Sequence, residues 1–137
     1  MGTVHAEITI RNSADVVNAE RGLIREEEIR SIAVTAMVDT GAGTIVINEE
    51  QYLELGLSAY REGSALLADG RRISCQITHP VEILWKDRGT SCEAVVIPGA
   101  KTVLLGAIPL EGMDVMIHPQ RQELVGAHGD TVEYMLM

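Results

Sequence analysis

Ile32-Ala33-Val34-Thr35-Ala36-Met37-Val38-Asp39-Thr40-Gly41-Ala42-Gly43-Thr44-Ile45-Val46-Ile47 is the stretch that decides the fold. Two apolar, β-branched runs read as strands, and an acid lies between them. Burying a lone carboxylate is costly or forces it to neutralise, so Asp39 there implies a cleft that opens onto it. Gly41 lets backbone and a bound chain approach closely, and the hydroxyl of Thr40 can lock the loop by hydrogen bonding. Asp-Thr-Gly alone is an ordinary turn tripeptide, since Asp and Gly both favour turns. The strands on either side raise it to a candidate site. A helix signal follows at Asn48-Glu49-Glu50-Gln51-Tyr52-Leu53. Asn48 reads as its N-cap, the two acids suit its positive end, and Gly56 reads as its C-cap.

Working outward, Leu66-Leu67-Ala68-Asp69-Gly70-Arg71-Arg72-Ile73 reads as a hairpin with Asp69-Gly70 as a two-residue turn. Val103-Leu104-Leu105-Gly106 is an apolar run ending in glycine, with a short helical turn after it. Residues 4–10 alternate as a strand. Residues 12–28 are polar and turn-rich, with a reversal at Glu20-Arg21-Gly22 and a solvated edge at Glu26-Glu27-Glu28. Residues 81–85 and 93–97 read as two strands across a turn at Lys86-Asp87-Arg88-Gly89, and Pro98-Gly99 is a turn. Residues 113–117 and 122–125 suggest a strand pair around Pro119, and 130–137 a terminal apolar strand. Without repeats or linkers, residues 1–137 read as a single closed β domain with one or two short helices.

Composition narrows the function. The chain is 46% hydrophobic and 23% charged, an ordinary globular balance. With no Phe, one Trp and three Tyr, its core must come from Val, Ile, Leu, Met and Ala. A net charge of −9 argues against nucleic acid as a partner, which needs a basic face. It leaves solubility, and a weak preference for basic peptide segments. No apolar run reaches the roughly 18 residues that span a bilayer, and Met1-Gly2-Thr3-Val4-His5 lacks the regions of a signal peptide. We therefore expect no membrane partner, a cytoplasmic setting, and reduced thiols at Cys75 and Cys92. His5, His79, His118 and His128 are scattered, so no metal is expected. Ser64, Ser74 and Ser91 lack a nucleophile-elbow context. No Lys follows Gly41-Ala42-Gly43 as a phosphate loop would require. No cofactor is expected.

Taken in order, the Asp loop at 37–42, the Leu-Ala-Asp-Gly hairpin at 67–70 and the Leu-Gly-Ala-Ile-Pro-Leu-Glu segment at 105–111 resemble the retroviral-type (retropepsin-like) aspartic peptidases. The closer likeness is to their small bacterial and archaeal clan AA members, and it spans roughly residues 4–125. Met37 stands where Leu is more usual, a volume-conserving change. Gly43 and Thr44 replace two acids of the viral enzymes, and Ala107 replaces an Arg, so the ion-pair bracing of the viral dimer is missing. The resemblance implies an all-β, closed acid-protease barrel and an aspartic endopeptidase acting on peptide or protein substrates. It implies a catalytic loop of Asp39, Thr40 and Gly41. Ala42 and Gly43, with Ala68, Asp69, Gly70 and Arg71 of the flap, would contact substrate. Such enzymes need two carboxylates on one water, yet there is one Asp-Thr-Gly and no Asp-Ser-Gly. A chain of one-domain length would then draw the second Asp from a homodimer. The rivals are a catalytically silent binding or dimerisation module of the same fold, and a peptidase domain of a longer chain.

Overall fold

In a computed structural model, residues 3–134 are described. Strands dominate, joined by three short α-helices and a 3-10 turn at Glu26–Glu28. In chain order they are β1 (His5–Asn12), α1 (Ser13–Glu20), β2 (Ser31–Val38), β3 (Ile45–Ile47), α2 (Glu49–Glu54), β4 (Ala59–Leu66), β5 (Arg72–Thr78), β6 (Val81–Trp85), β7 (Arg88–Cys92), β8 (Ala94–Val96), β9 (Val103–Leu105), α3 (Ala107–Gly112), β10 (Val115–His118) and β11 (Glu123–Gly126). Nine strands form one sheet in the order β4-β5-β8-β3-β9-β2-β1-β6-β7, and β10-β11 is a separate hairpin. The expected barrel closure is not found: among the described residues the two edges, β4 and β7, do not pair.

Period-2 alternation explains the core. In β1, Ala6, Ile8 and Ile10 point inward, and in β6 Val81, Ile83 and Trp85 do the same. They meet Ile45, Ile47, Leu55, Leu105 and Met113, all fully buried aliphatic or Met side chains. The β2-β9 and β3-β8 pairs are parallel, whereas β3-β9 is antiparallel. Strand β9 therefore lies between β2 and β3, and the loop 39–44 that joins those two strands must straddle it. Gly106, at the end of β9, passes so close beneath this loop that an added Cβ would meet the carbonyl oxygens of Ala42 and Thr44. This close approach, not a special backbone angle, is why the position takes glycine.

Helix α2 matches its sequence signals. Asn48 and Gln51 exchange side-chain-to-backbone bonds of 2.9 Å as a capping box, and Gly56 follows the helix at φ +60°. Helix α1 departs from expectation, since 12–28 read as turn-rich. Its buried face carries Asp15, not a row of aliphatic residues. Asn12 caps it, accepting from Asp15 N at 3.1 Å and donating to Leu55 O at 2.9 Å. Arg30 grips the Asp15 carboxylate with two side-chain bonds of 2.8 and 2.9 Å and holds its pKa low. The other differences are local. The β6-β7 turn is only Lys86-Asp87, leaving Arg88 and Gly89 in β7. Strand β8 pairs with β3 and β5 instead of β6. Thr131 to Tyr134 form no strand, and 135–137 lie outside the described residues. No described helix is long and apolar enough to cross a membrane.

Candidate active site

Asp39 directly follows β2, and its N–H donates to Leu105 O at 3.0 Å. Its carboxylate is half-buried, and Oδ1 accepts from Gly41 N at 2.9 Å. The loop is closed by Ala42 N donating to Asp39 O at 3.0 Å. It is tied down to α3, whose Ala107 N and Ile108 N donate to Ala42 O and Gly43 O at 2.9 and 3.0 Å. The carboxylate thus takes one backbone bond, on a loop whose main chain is pinned to β9 on one side and α3 on the other. Thr40 is exposed, and its hydroxyl has no hydrogen-bond partner among the described residues, so within one chain it does not lock the loop.

The carboxylate looks into a cleft of about 1000 Å³. A cross-strand row forms its floor: Arg61, Ile77, Val95, Val46 and Leu104 stand side by side on β4, β5, β8, β3 and β9, and all five line the cleft. The β4-β5 hairpin supplies one wall, through Gly63, Ser64, Ala65, Leu66, Leu67 and Ala68. The opposite wall is the Asp loop with Gly41, Ala42, Gly43 and Thr44, beside Ile108 of α3.

The structure therefore brings Asp39, Gly41, Ala42, Gly43 and Ala68 around one space. Asp69, Gly70 and Arg71 sit at the exposed hairpin tip and do not line it. The hairpin turn also differs from the expected one. Leu67 N donates to Arg71 O at 2.8 Å and Gly70 N to Leu67 O at 2.9 Å, so Ala68, Asp69 and Gly70 make a three-residue loop. Only Gly70, at φ +88°, is left-handed; a two-residue Asp-Gly turn of the favoured type would need Asp69 there too. Asp69 holds the tip together instead, accepting from Arg71 N at 3.0 Å and from its guanidinium at 2.7 Å, which lowers its pKa.

Sequence reasoning missed several wall residues. Arg61 and Glu93 both line the cleft, paired at 2.7 Å. Arg61 is a charge within β4, and Glu93 is the single residue between β7 and β8, so neither stood in a motif. Cys75 and Cys92 are free and also line it; burial pushes the Cys92 thiol pKa up, against a weak bond from Thr44. Among the described residues no group of three His, Cys, Asp or Glu side chains is placed to hold a metal ion.

Comparison with known families agrees with this geometry. An aspartyl protease family model matches residues 27–122, which takes in the Asp loop, the hairpin and α3. No curated protein matches the chain. The chain belongs to this retropepsin-like aspartyl protease family.

Proposed function

We propose that the chain is an aspartic endopeptidase whose catalytic pair is completed in a homodimer, one Asp39 from each copy. One observation carries the reading: the cleft is lined by a single Asp carboxylate, oriented by Gly41 N–H, opposite a hairpin that can cover an extended peptide. Cleaving an amide needs a base for the water and an acid for the carbonyl oxygen. A two-fold axis beside the loop supplies the second carboxylate without any further motif. The exposed Thr40 hydroxyl and Ile108, 56% exposed next to the loop, offer the surface for that contact.

In such a pair the two carboxylates cannot both ionise at close range, so they share one proton and titrate as a unit. The ionised member takes a proton from water as it attacks the scissile carbonyl. The protonated member gives its proton to the carbonyl oxygen. The carbonyl of Gly41 and the N–H of Gly43, each without a partner among the described residues, would bond the extended substrate, with Ala42 beside them. Ala68 would cover the peptide as the tip at Asp69, Gly70 and Arg71 closes and excludes water.

The test is hydrolysis of a peptide library between about pH 3 and 7, with wild type and Asp39→Asn in parallel, beside sedimentation at tens of micromolar. The reading expects Asp39-dependent cleavage and a dimer, strengthened by a peptide-like inhibitor. Unchanged cleavage by Asp39→Asn, or a strict monomer with and without inhibitor, defeats it. Peptide binding with no turnover by wild type would instead favour the silent binding module.

A further inference from the structure

We infer that Glu93 is a specificity-determining residue, the seat for a lysine or arginine side chain carried by the substrate within about four residues of the cleaved bond, with Arg61 holding it in place. The inference rests on the reading of the cleft as a peptidase site.

Three charged side chains line the cleft: Asp39, Arg61 and Glu93. Arg61 is already engaged. One nitrogen bonds Glu93 Oε1 at 2.7 Å, and the guanidinium carbon lies 5.3 Å from the centre of the Tyr60 ring. That ring is itself stacked on His79, centroids 4.6 Å apart and planes 19° apart. Glu93 is less occupied. Its second carboxylate oxygen has no hydrogen-bond partner among the described residues, while its backbone is fixed by Thr44 Oγ1 donating to its carbonyl at 2.5 Å. The result is an acid anchored at its backbone and by one ion pair, with an open oxygen.

Its place relative to Asp39 follows from the strand register. Val38 stands beside Leu105, Leu105 beside Ile45, and Ile45 beside Ala94. One step along, Asp39, Gly106, Thr44 and Glu93 form the next row. Three strand spacings separate Asp39 from Glu93, at most about 14 Å between backbones, and an extended peptide covers that in about four residues.

The sign of the preferred charge comes from the surroundings. The cleft holds two carboxylates to one guanidinium, on a chain of net charge −9, so the field favours a cation. An acidic side chain reaching for Arg61 would have to face Glu93, and a basic one completes the unfilled side of that acid. An ion pair this exposed is worth roughly a fivefold preference, and salt should weaken it.

The experiment uses the full chain and matched peptides with an apolar centre. A single Lys, Gln or Glu is moved from roughly two to five positions on either side of the cleaved bond. kcat/KM is read for wild type, Glu93→Gln and Glu93→Lys at low and high salt, and Kd for the same peptides is read by anisotropy. At one position Lys should beat Gln about fivefold, Glu93→Gln should erase the difference, and Glu93→Lys should turn it toward Glu. Asp39-dependent cleavage indifferent to Glu93→Gln overturns this inference and leaves the peptidase reading standing. An acidic preference that Arg61→Gln removes overturns it too. If nothing is cleaved, the peptidase reading falls, and the Kd ranking still decides the role of Glu93. No binding of any peptide ends both.

Discussion

Asp39 and Asp114 are two acids of one chain in opposite condition. Asp114 is 8% exposed, at the start of the β10-β11 hairpin, in a left-handed backbone conformation at φ +56°. Its carboxylate meets His128 Nδ1 at 2.8 Å and accepts from Glu133 N at 3.0 Å. Below it the buried guanidinium of Arg88 donates to the carbonyls of Met113, Asp114 and Gly129 at 3.2, 2.9 and 2.8 Å. Asp39 takes one bond, from the next residue but one, and otherwise faces an open cleft. Acids that hold a fold together are saturated inside it, because an unmet buried charge is expensive. An acid left with spare capacity at a cleft wall is free to react with something else.

The largest effect that contrast foretells is on turnover. Asp39→Asn should lower kcat on the order of a thousandfold or more, while stability moves by about 0.5 kcal/mol or less, as at sites without buried partners. Chemical denaturation beside a single-turnover assay checks both. A mutant that loses several kcal/mol would show that Asp39 is structural, and the contrast would collapse.

Arg88→Leu should do the reverse. Three carbonyls lose a donor, although Asp114 O keeps Ala127 N at 2.8 Å, so stability should fall on the order of 2 to 3 kcal/mol, while kcat of the molecules still folded stays near wild type. The effect belongs to a residue assigned by sequence to the turn at Lys86 to Gly89. Arg88 is 7% exposed, and its Nε is the buried side-chain nitrogen without a hydrogen-bond partner among the described residues.

That misreading marks where sequence patterns end. The Asp loop, the Asn48 cap of α2 and the β4-β5 reversal were legible because each is local: a strand edge, a cap and a turn residue lie within a few positions of one another. Helix α1 was hidden because its inward side chains are polar, with Asn12 and Asp15 buried against Arg30 and Leu55 instead of an aliphatic stripe. The parallel pairing of β3 with β8 joins residues about fifty apart, and no period announces it. The cleft followed the same rule. Asp39 was visible in its loop, whereas Arg61 and Glu93 became a pair only when β5 lay between β4 and β8.

A smaller effect tests whether the hairpin moves against the Asp loop. An added Cβ at Gly70 meets no atom within 4 Å, so Gly70→Val should cost only the strain of φ +88°, about 1 kcal/mol or somewhat more. If the hairpin closes over the peptide as proposed, turnover should drop by more than this stability loss explains. Hydrogen exchange over residues 66–73 should be fast in the free protein and slow with a peptide-like inhibitor. Equal protection in both states would make the hairpin a plain surface turn.

The smallest effect is electrostatic and lies in the saturated region. The bond to Asp114, then the charges of Asp114 and Glu133, raise the pKa of His128 above its usual value of about 6.5. Its contribution is therefore complete below about pH 6.5 and lost as pH rises through the higher folded value. For Asp114 the Glu133 N–H first, then His128 and the charge of Arg88, lower the pKa from about 3.9. That contribution is present above about pH 4 and lost as pH falls through the folded value. The segment that ends in Glu133 should be held most firmly between about pH 4 and 6.5. Protection of the Glu133 amide, which donates to Asp114, should fall between about pH 5.5 and pH 8 in wild type. His128→Gln should abolish that alkaline loss and leave the acid limb in place. If both proteins lose protection equally on the alkaline side, His128 is a spectator, and Asp114 is held by Glu133 N–H and Arg88 alone.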